Sequence, residues 1–371
     1  MRRSGERGVA LLLALLVLVI LILLVNQMTV TSLHDRTIAE NHLADLQNTY
    51  GARSGYHQAL LYLEDDAERA AELDSLGERW ASPFGLSLGT AEVAVSIQDS
   101  ERFISLAKLV NDKGEPDPVV AAQLRRLVRI LRHPPDTADR IIDYVDADNR
   151  GSFESRARND RLMNAEELLR VEGIEPEVLY GGTVAGEPRK GILEFVTVWP
   201  RMALAPPAPP GPPGGAPPPA PPPDPGGAPP PAPPEGSPGA FAPARINVNT
   251  APVEVLEALS DEMTPQAAQA IAAARLQPGP DGRPKPFASL DEVKNVPGLS
   301  AAAWTSIKDA CVVKSSTFEI RARSRVGNVE KAWVYVVERG GSGQQKGLKL
   351  LSAQRLNDFV TAKPPDPDEE R

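Results

Sequence analysis

The 371-residue chain contains one cysteine, Cys311, and four histidines. A lone cysteine excludes an internal disulfide, so any part lying outside the cytoplasm has to be held by packing or by a metal. Aromatic residues make up 5% of the chain, which leaves modest cores. His34, His42, His57 and His133 have no serine or cysteine at a spacing that suggests a catalytic set. A G-x-x-x-x-G-K-[ST] phosphate loop, an H-E-x-x-H zinc motif and a G-x-S-x-G nucleophile turn are likewise absent. The sequence reads as that of a structural component and not an enzyme. Its net charge of -9 argues against a general affinity for phosphate backbones.

The most informative lack is of charge near the start. Between Val9 and Leu33 there is no Asp, Glu, Lys or Arg, whereas Arg2, Arg3 and Arg7 stand just before. At about 1.5 Å per residue this run can cross a hydrocarbon layer of roughly 30 Å. Basic residues before it and an acidic chain after it place the N-terminus in the cytoplasm and everything beyond Asp35 outside. A cleaved secretory signal would have an apolar core about half this length, ending in a small-residue site. The residues after Val25, namely Asn26, Gln27, Met28 and Thr29, offer none.

A short basic leader ending in Gly8, followed without a spacer by Val9, Ala10 and Leu11, resembles the class III signal of type IV pilins and pseudopilins. The resemblance implies that a prepilin peptidase cuts between Gly8 and Val9 and that the apolar helix stays in the mature protein. The fifth residue counted from Val9 is Leu13. Most pilins and pseudopilins carry a glutamate there, costly in lipid unless it meets a partner. Its absence is characteristic of the K subunit of type II secretion, a minor pseudopilin with no subunit stacked above it.

Past the membrane run the helix is expected to continue, because Ala39, Leu43, Leu46, Tyr50, His57 and Leu61 recur at helical spacings up to about residue 64. Gly51 and Gly55 weaken it locally. Alternating segments at 92–98 and 102–106 are expected to form a hairpin about Asp99-Ser100. A second pair, 317–324 and 332–337, turns at Gly327-Asn328. Each hairpin alone is marginal in water, so the two are expected to join in one sheet against the helix, with residues 107–313 inserted between them.

Within the insert, residues 246–259, beginning Ile246-Asn247-Val248-Asn249-Thr250, strongly resemble a K-subunit segment in which an extended piece enters a helix. Thr250 is expected to cap that helix and Pro252 to lie in its first turn. Further helices are expected at 266–275, after Ser289, and up to Ile307. Residues 163–174 repeat the order of cap, helix and glycine. These modules also resemble helix-hairpin-helix folds that bind DNA in competence proteins, the basis of an alternative reading as a DNA-contacting minor pilin or competence pseudopilin. DNA-binding hairpins bring paired glycine N–H groups to a phosphate. Here Gly298 follows Pro297, which has no N–H, and local charge is mixed, so nucleic-acid binding is not expected.

Asp143, Asp146, Asp148 and Glu154 crowd one loop, where they are candidate ligands for a hard cation. An EF-hand fails, since Arg150 occupies a ligand position and Ala157 the twelfth. The resemblance implies calcium, which the K-subunit helical domain has been associated with. Residues 203–243 are almost wholly Pro, Ala and Gly and are expected to form an extended, disordered insertion. Residues 192–199 and 245–248 on either side of it are candidate neighbouring strands.

The expected class is α+β: a pilin-like fold, with a long N-terminal helix packed on an antiparallel sheet, carrying a large helical domain inserted in the sheet. The expected division is leader 1–8, transmembrane helix 9–33, spine and first strands 34–106, and first helical module with the Asp-rich loop 107–202. The arm 203–243, second module 244–313, C-terminal strands 314–340 and partly disordered tail 341–371 follow. The resemblance implies a single-pass inner-membrane protein with a periplasmic head, partnered by the I and J minor pseudopilins, H, the major pseudopilin, the assembly platform and the prepilin peptidase. It also implies a place at the pseudopilus tip, where the protein would initiate and cap the fibre.

Overall fold

No proline occurs before Pro83, and one helix, α1 (Gly5–Arg69), carries the apolar run and the spine without a break. In this computed structural model residues 5–356 are described, apart from 70–71, 112, 148–149, 155–156, 185, 201–244, 280–281, 283 and 341–346. Thr29, Thr31 and Thr37 donate their hydroxyls to the carbonyls of Val25, Gln27 and Leu33, so these polar groups are satisfied within the helix.

After α1 the chain passes a 3-10 turn at Arg79–Ala81 and forms β1 (Phe84–Leu88) and β2 (Ala91–Asp99). The two pair antiparallel about Gly89, whose φ of +60° suits a tight turn. The hairpin expected between 92–98 and 102–106 does not form. The Asp99 carboxylate instead accepts the Glu101 N–H and caps a 3-10 turn at Ser100–Arg102, and the chain leaves the sheet. Its continuation, β3 (Ile104–Ser105), belongs to the insert.

The insert begins with α2 (Pro118–Ile130), where the Asp117 side chain accepts the N–H groups of Val119 and Val120 and Pro118 fills the first turn. Next come α3 (Thr137–Val145), α4 (Pro176–Tyr180), the hairpin β4 (Gly181–Val184) with β5 (Glu187–Lys190), and β6 (Val196–Thr197). Beyond the arm lie β7 (Ile246–Asn247), α5 (Val253–Ala258), α6 (Pro265–Ala274), α7 (Leu290–Lys294), α8 (Ala301–Ile307) and β8 (Cys311–Val312). Thr264 and Ser300 cap α6 and α8 through their hydroxyls. Ser289 holds the cap position of α7 without a side-chain bond; there Glu292 accepts the Ala288 N–H. Residues 165–170 form a 3-10 helix behind the Asn164 cap.

The candidate strands flanking the arm do not pair with each other: β6 lies parallel to β3 and β7 parallel to β8. Each short ladder ties one half of the insert to a chain crossing at the sheet. The arm itself lies outside the described residues.

The chain returns through β9 (Thr317–Val326) and β10 (Val329–Arg339) and ends in β11 (Leu348–Leu356). The sheet order is β1-β2-β9-β10-β11, antiparallel throughout. The β2–β9 pairing joins the two distant segments as expected and leaves residues 100–316 inserted between them. β11 is an addition, lying inside the stretch assigned to the tail. Two cores result. Val93, Val95, Ile97, Phe318, Ile320, Ala322, Trp333, Tyr335 and Val337 face α1 together with Trp80. The second, built from insert residues such as Leu124, Ile141, Leu179, Leu256 and Ile271, also takes in Val336 from β10. Alternation along β10 thus puts α1 and the insert on opposite faces of the sheet.

Candidate assembly site

The outward face of α1 is the first element of the site. All six stripe residues, Ala39, Leu43, Leu46, Tyr50, His57 and Leu61, are exposed. The sheet packs instead on Ala44, Asn48, Gly51, Ala52, Gly55, Ala59 and Leu63, all buried. Their spacing of three and four residues is as regular as that of the stripe, and five of the seven are glycine or alanine, which lets the middle of this face lie close to the sheet. A Cβ on Gly51 would stand 2.7 Å from Ser324 Oγ, and one on Gly55 2.7 Å from Val95 Cγ2. Helix backbone and sheet approach too closely for larger side chains. Asn48 fits because its Nδ2 donates to the Val329 carbonyl at 3.0 Å. The glycines that locally weaken a helix are what let this one dock.

The exposed stripe continues the exposed apolar surface of the anchor, Leu11 through Leu33, by way of Ile38. Leu13 is part of that surface. Gly8 and Val9 lie in the first turns of α1.

The acidic loop is folded back on α3. Phe153 N–H donates to Asp143 Oδ2 at 2.9 Å, Gly151 N–H donates to Glu154 Oε1 at 2.8 Å, and Ala147 N–H donates to the Gly114 carbonyl at 2.9 Å. Asp146, buried, ends α3. Among the described residues Glu154 Oε2 is buried and meets no hydrogen-bond donor, an orphaned hard oxygen of the kind a cation satisfies. Asp148 lies outside the described residues. Among the described residues, the carboxylates that converge within 4.8 Å of one another are Asp66, Asp74 and Glu78, at a different place.

That place is the seam where the insert joins the sheet, and spacing along the chain did not reveal it. Asp99 Oδ2 accepts the hydroxyls of Thr250 at 2.6 Å and Ser315 at 2.7 Å. Thr250 is therefore not a helix cap; the cap position of α5 is Pro252. Its hydroxyl is used across the seam instead. Asn247 Nδ2 donates to the Asp74 carbonyl and to Ser315 Oγ. Ser315 N–H donates to Asp74 Oδ2 at 2.8 Å, and Ser316 N–H to Glu101 Oε1 at 2.8 Å. Arg339 donates to Asp74 Oδ1 at 2.8 Å and to Asp66 Oδ2 at 3.0 Å. Burial is the first cause that pushes Asp66 up to about 7, Glu101 to about 7 and Asp99 to about 6, with neighbouring carboxylates adding to it.

Residues 246–314, from β7 to just past β8, match the family model for protein K of the type II secretion system (T2SS). The fold is similar to that of a chain in the crystal structure of the GspK-GspI-GspJ complex from the enterotoxigenic Escherichia coli Type 2 Secretion System, with 17% sequence identity and a TM-score of 0.58. The likeness covers 87% of this chain and 99% of that one. No curated protein matches the sequence significantly. The family match falls on the half of the insert that holds Asn247 and Thr250, inside a fold that places this insert between β2 and β9. Residues 246–314 thus resemble protein K of the type II secretion system, and the fold around them resembles that of a chain from the GspK-GspI-GspJ complex.

Proposed function

We propose that the chain is the minor pseudopilin that initiates and caps the type II secretion pseudopilus, anchored in the inner membrane with its N-terminus cytoplasmic and its head periplasmic. The observation that carries this reading is the apolar face of α1, which runs on from the anchor through Leu43, Leu46, Tyr50 and Leu61 with none of the described residues covering it. An exposed apolar strip of this kind marks an association surface, and helices with the same strip are its natural partners. GspI and GspJ accompany GspK in the solved complex, so the I and J minor pseudopilins are the partners we assign here. H, the major pseudopilin and the assembly platform follow in assembly. The bulky insert, at the far end of the spine, would bar a further subunit from docking above.

Removal of residues 1–8 by the prepilin peptidase, between Gly8 and Val9, is part of the same proposal. Leu13, apolar where a carboxylate would seek a neighbour's amine, suits a terminal subunit. Leu13→Glu is expected to insert in the membrane but to impair tip assembly; unchanged secretion would contradict the capping role. The acidic loop is proposed as a calcium site, with Asp143, Asp146, Asp148 and Glu154 as its oxygen donors; the orphaned Glu154 Oε2 supports it. Calcium titration by calorimetry should lose its signal in Glu154→Gln, and an unchanged isotherm would remove this residue from the site.

The proposal as a whole is tested by mass spectrometry of the mature N-terminus, with and without the peptidase. A chain starting at Val9 only when the peptidase is present, co-purifying with I and J, is the expected result. An intact Met1 with the peptidase present, or a cut beyond the apolar run, would overturn it.

A further inference from the structure

At the seam, carboxylates from several chain segments meet in a small volume. Asp66 comes from the last turns of α1, Asp74 and Glu78 from the α1–β1 connection, and Asp99 and Glu101 from the exit of β2. Asp74 and Asp99 are buried, and the Asp66 side chain is only 8% exposed. The cations facing them are Arg339 of β10, paired with Asp66 and Asp74, and Arg102, attracted by Asp99 and repelled by Arg275 of the insert. Lys314, next to Ser315, is exposed. The buried histidine His133 is engaged elsewhere, by the Lys190 carbonyl. Among the described residues, five carboxylates thus face two guanidinium groups, a surplus of negative charge that a water-poor interior disfavours. The same carboxylates hold the insert in place: Ser315, Ser316, Thr250 and Asn247, on either side of the α5–α8 half, all donate to them.

We propose that this seam is a proton-operated latch, closed between the pilin body and the insert when the cluster carries protons and slackened when it loses them. Proton uptake removes the surplus charge, while a protonated carboxyl still accepts from Ser315 and Ser316. The raised positions of Asp66, Glu101 and Asp99 agree in sign. A carboxylate raised by folding contributes stability that is present near its unfolded value, about pH 4, and is lost as pH rises through about 6 to 7. The latch is therefore tight in mild acid and loose above neutrality.

Hydrogen exchange of the full-length chain in detergent, corrected for intrinsic rates, reads the latch directly. Between about pH 5 and about pH 8 the amides of 99–102, 247–251 and 313–317 should open about tenfold more often, whereas those of 320–323 inside the sheet should not. The double variant Asp66→Asn/Glu101→Gln, which imitates the protonated state, should flatten the response. Should it fail to fold, Glu101→Gln alone, which keeps a carbonyl acceptor for Ser316 N–H, carries the same test. Equal protection at both pH values would overturn the proposal, and so would a pH response undiminished in the variants.

Discussion

Replacing Gly55 with alanine sets helix propensity against space. In an isolated helix alanine would gain about 1 kcal/mol over glycine. Here its Cβ would stand 2.7 Å from Val95 Cγ2 and 3.1 Å from Val93 Cγ1. Both neighbours are β-branched and stiff about χ1, and both sit on β2, pinned between β1 and β9. Relief has to come from lifting α1 off the sheet, which loosens Ala52, Ala59 and Leu63 as well. Overpacking of this kind costs about 1–3 kcal/mol, so the expected net loss is about 1 kcal/mol. Gly55→Leu should lose more, since the rest of the side chain also has nowhere to go. The control is Tyr50→Ala, five residues away but exposed, where a change within about 0.5 kcal/mol is expected. Urea unfolding of the full chain in detergent, followed by circular dichroism, gives the values. Gly55→Ala as stable as the parent or more so would refute the close approach, as would a loss in Tyr50→Ala equal to that in Gly55→Ala.

Other outcomes follow from the seam and the cores. Trp80, buried and edge-on to Phe318 with ring centroids 5.2 Å apart, should cost about 3–5 kcal/mol as Trp80→Ala in the same unfolding measurement. Thr250→Val keeps the shape but removes the 2.6 Å hydrogen bond to Asp99, so a loss of about 1–3 kcal/mol is expected, and Thr250→Ser should restore most of it. Burial pushes the Cys311 thiol up to about 12, so a maleimide should leave it untouched in the native protein and label it only with unfolding. Labelling at the native state would mean that the β7–β8 contact opens.

The anchor, the spine and the sheet-with-insert plan were legible because each rests on a local period: the uncharged run to Leu33, and alternation along β2, β9 and β10. The face of α1 that meets the sheet was harder to see. Large apolar residues ordinarily point inward, yet here Leu43, Leu46 and Tyr50 point out and Gly51, Ala52 and Gly55 in. The run of small residues was the available signal. The return strand after Asp99 looked like half of a hairpin because its alternation is good, but pairing partners are a matter of distance in space, and Ile104 pairs with Val196. The seam was illegible for the same reason. Asp74, Asp99, Thr250 and Ser315 are scattered over the sequence, and Thr250 resembles a cap by every local rule while its hydroxyl answers to a carboxylate 151 positions away. Of the cation-loop candidates, Asp143 and Glu154 are brought to the same turn around Gly151, a proximity their crowding in sequence suggested.

The central claim is that the outward face of α1, not the face against the sheet, receives neighbouring pseudopilins. Photo-cross-linking tests it most directly, with a photoreactive phenylalanine analogue placed singly at Leu46, Tyr50 or Leu61 in the full chain, co-expressed with the I and J pseudopilins. Adducts to I or J from these positions, and none from an analogue at exposed Arg321 on the sheet, are the predicted result. Adducts from Arg321 with none from the stripe would contradict the account.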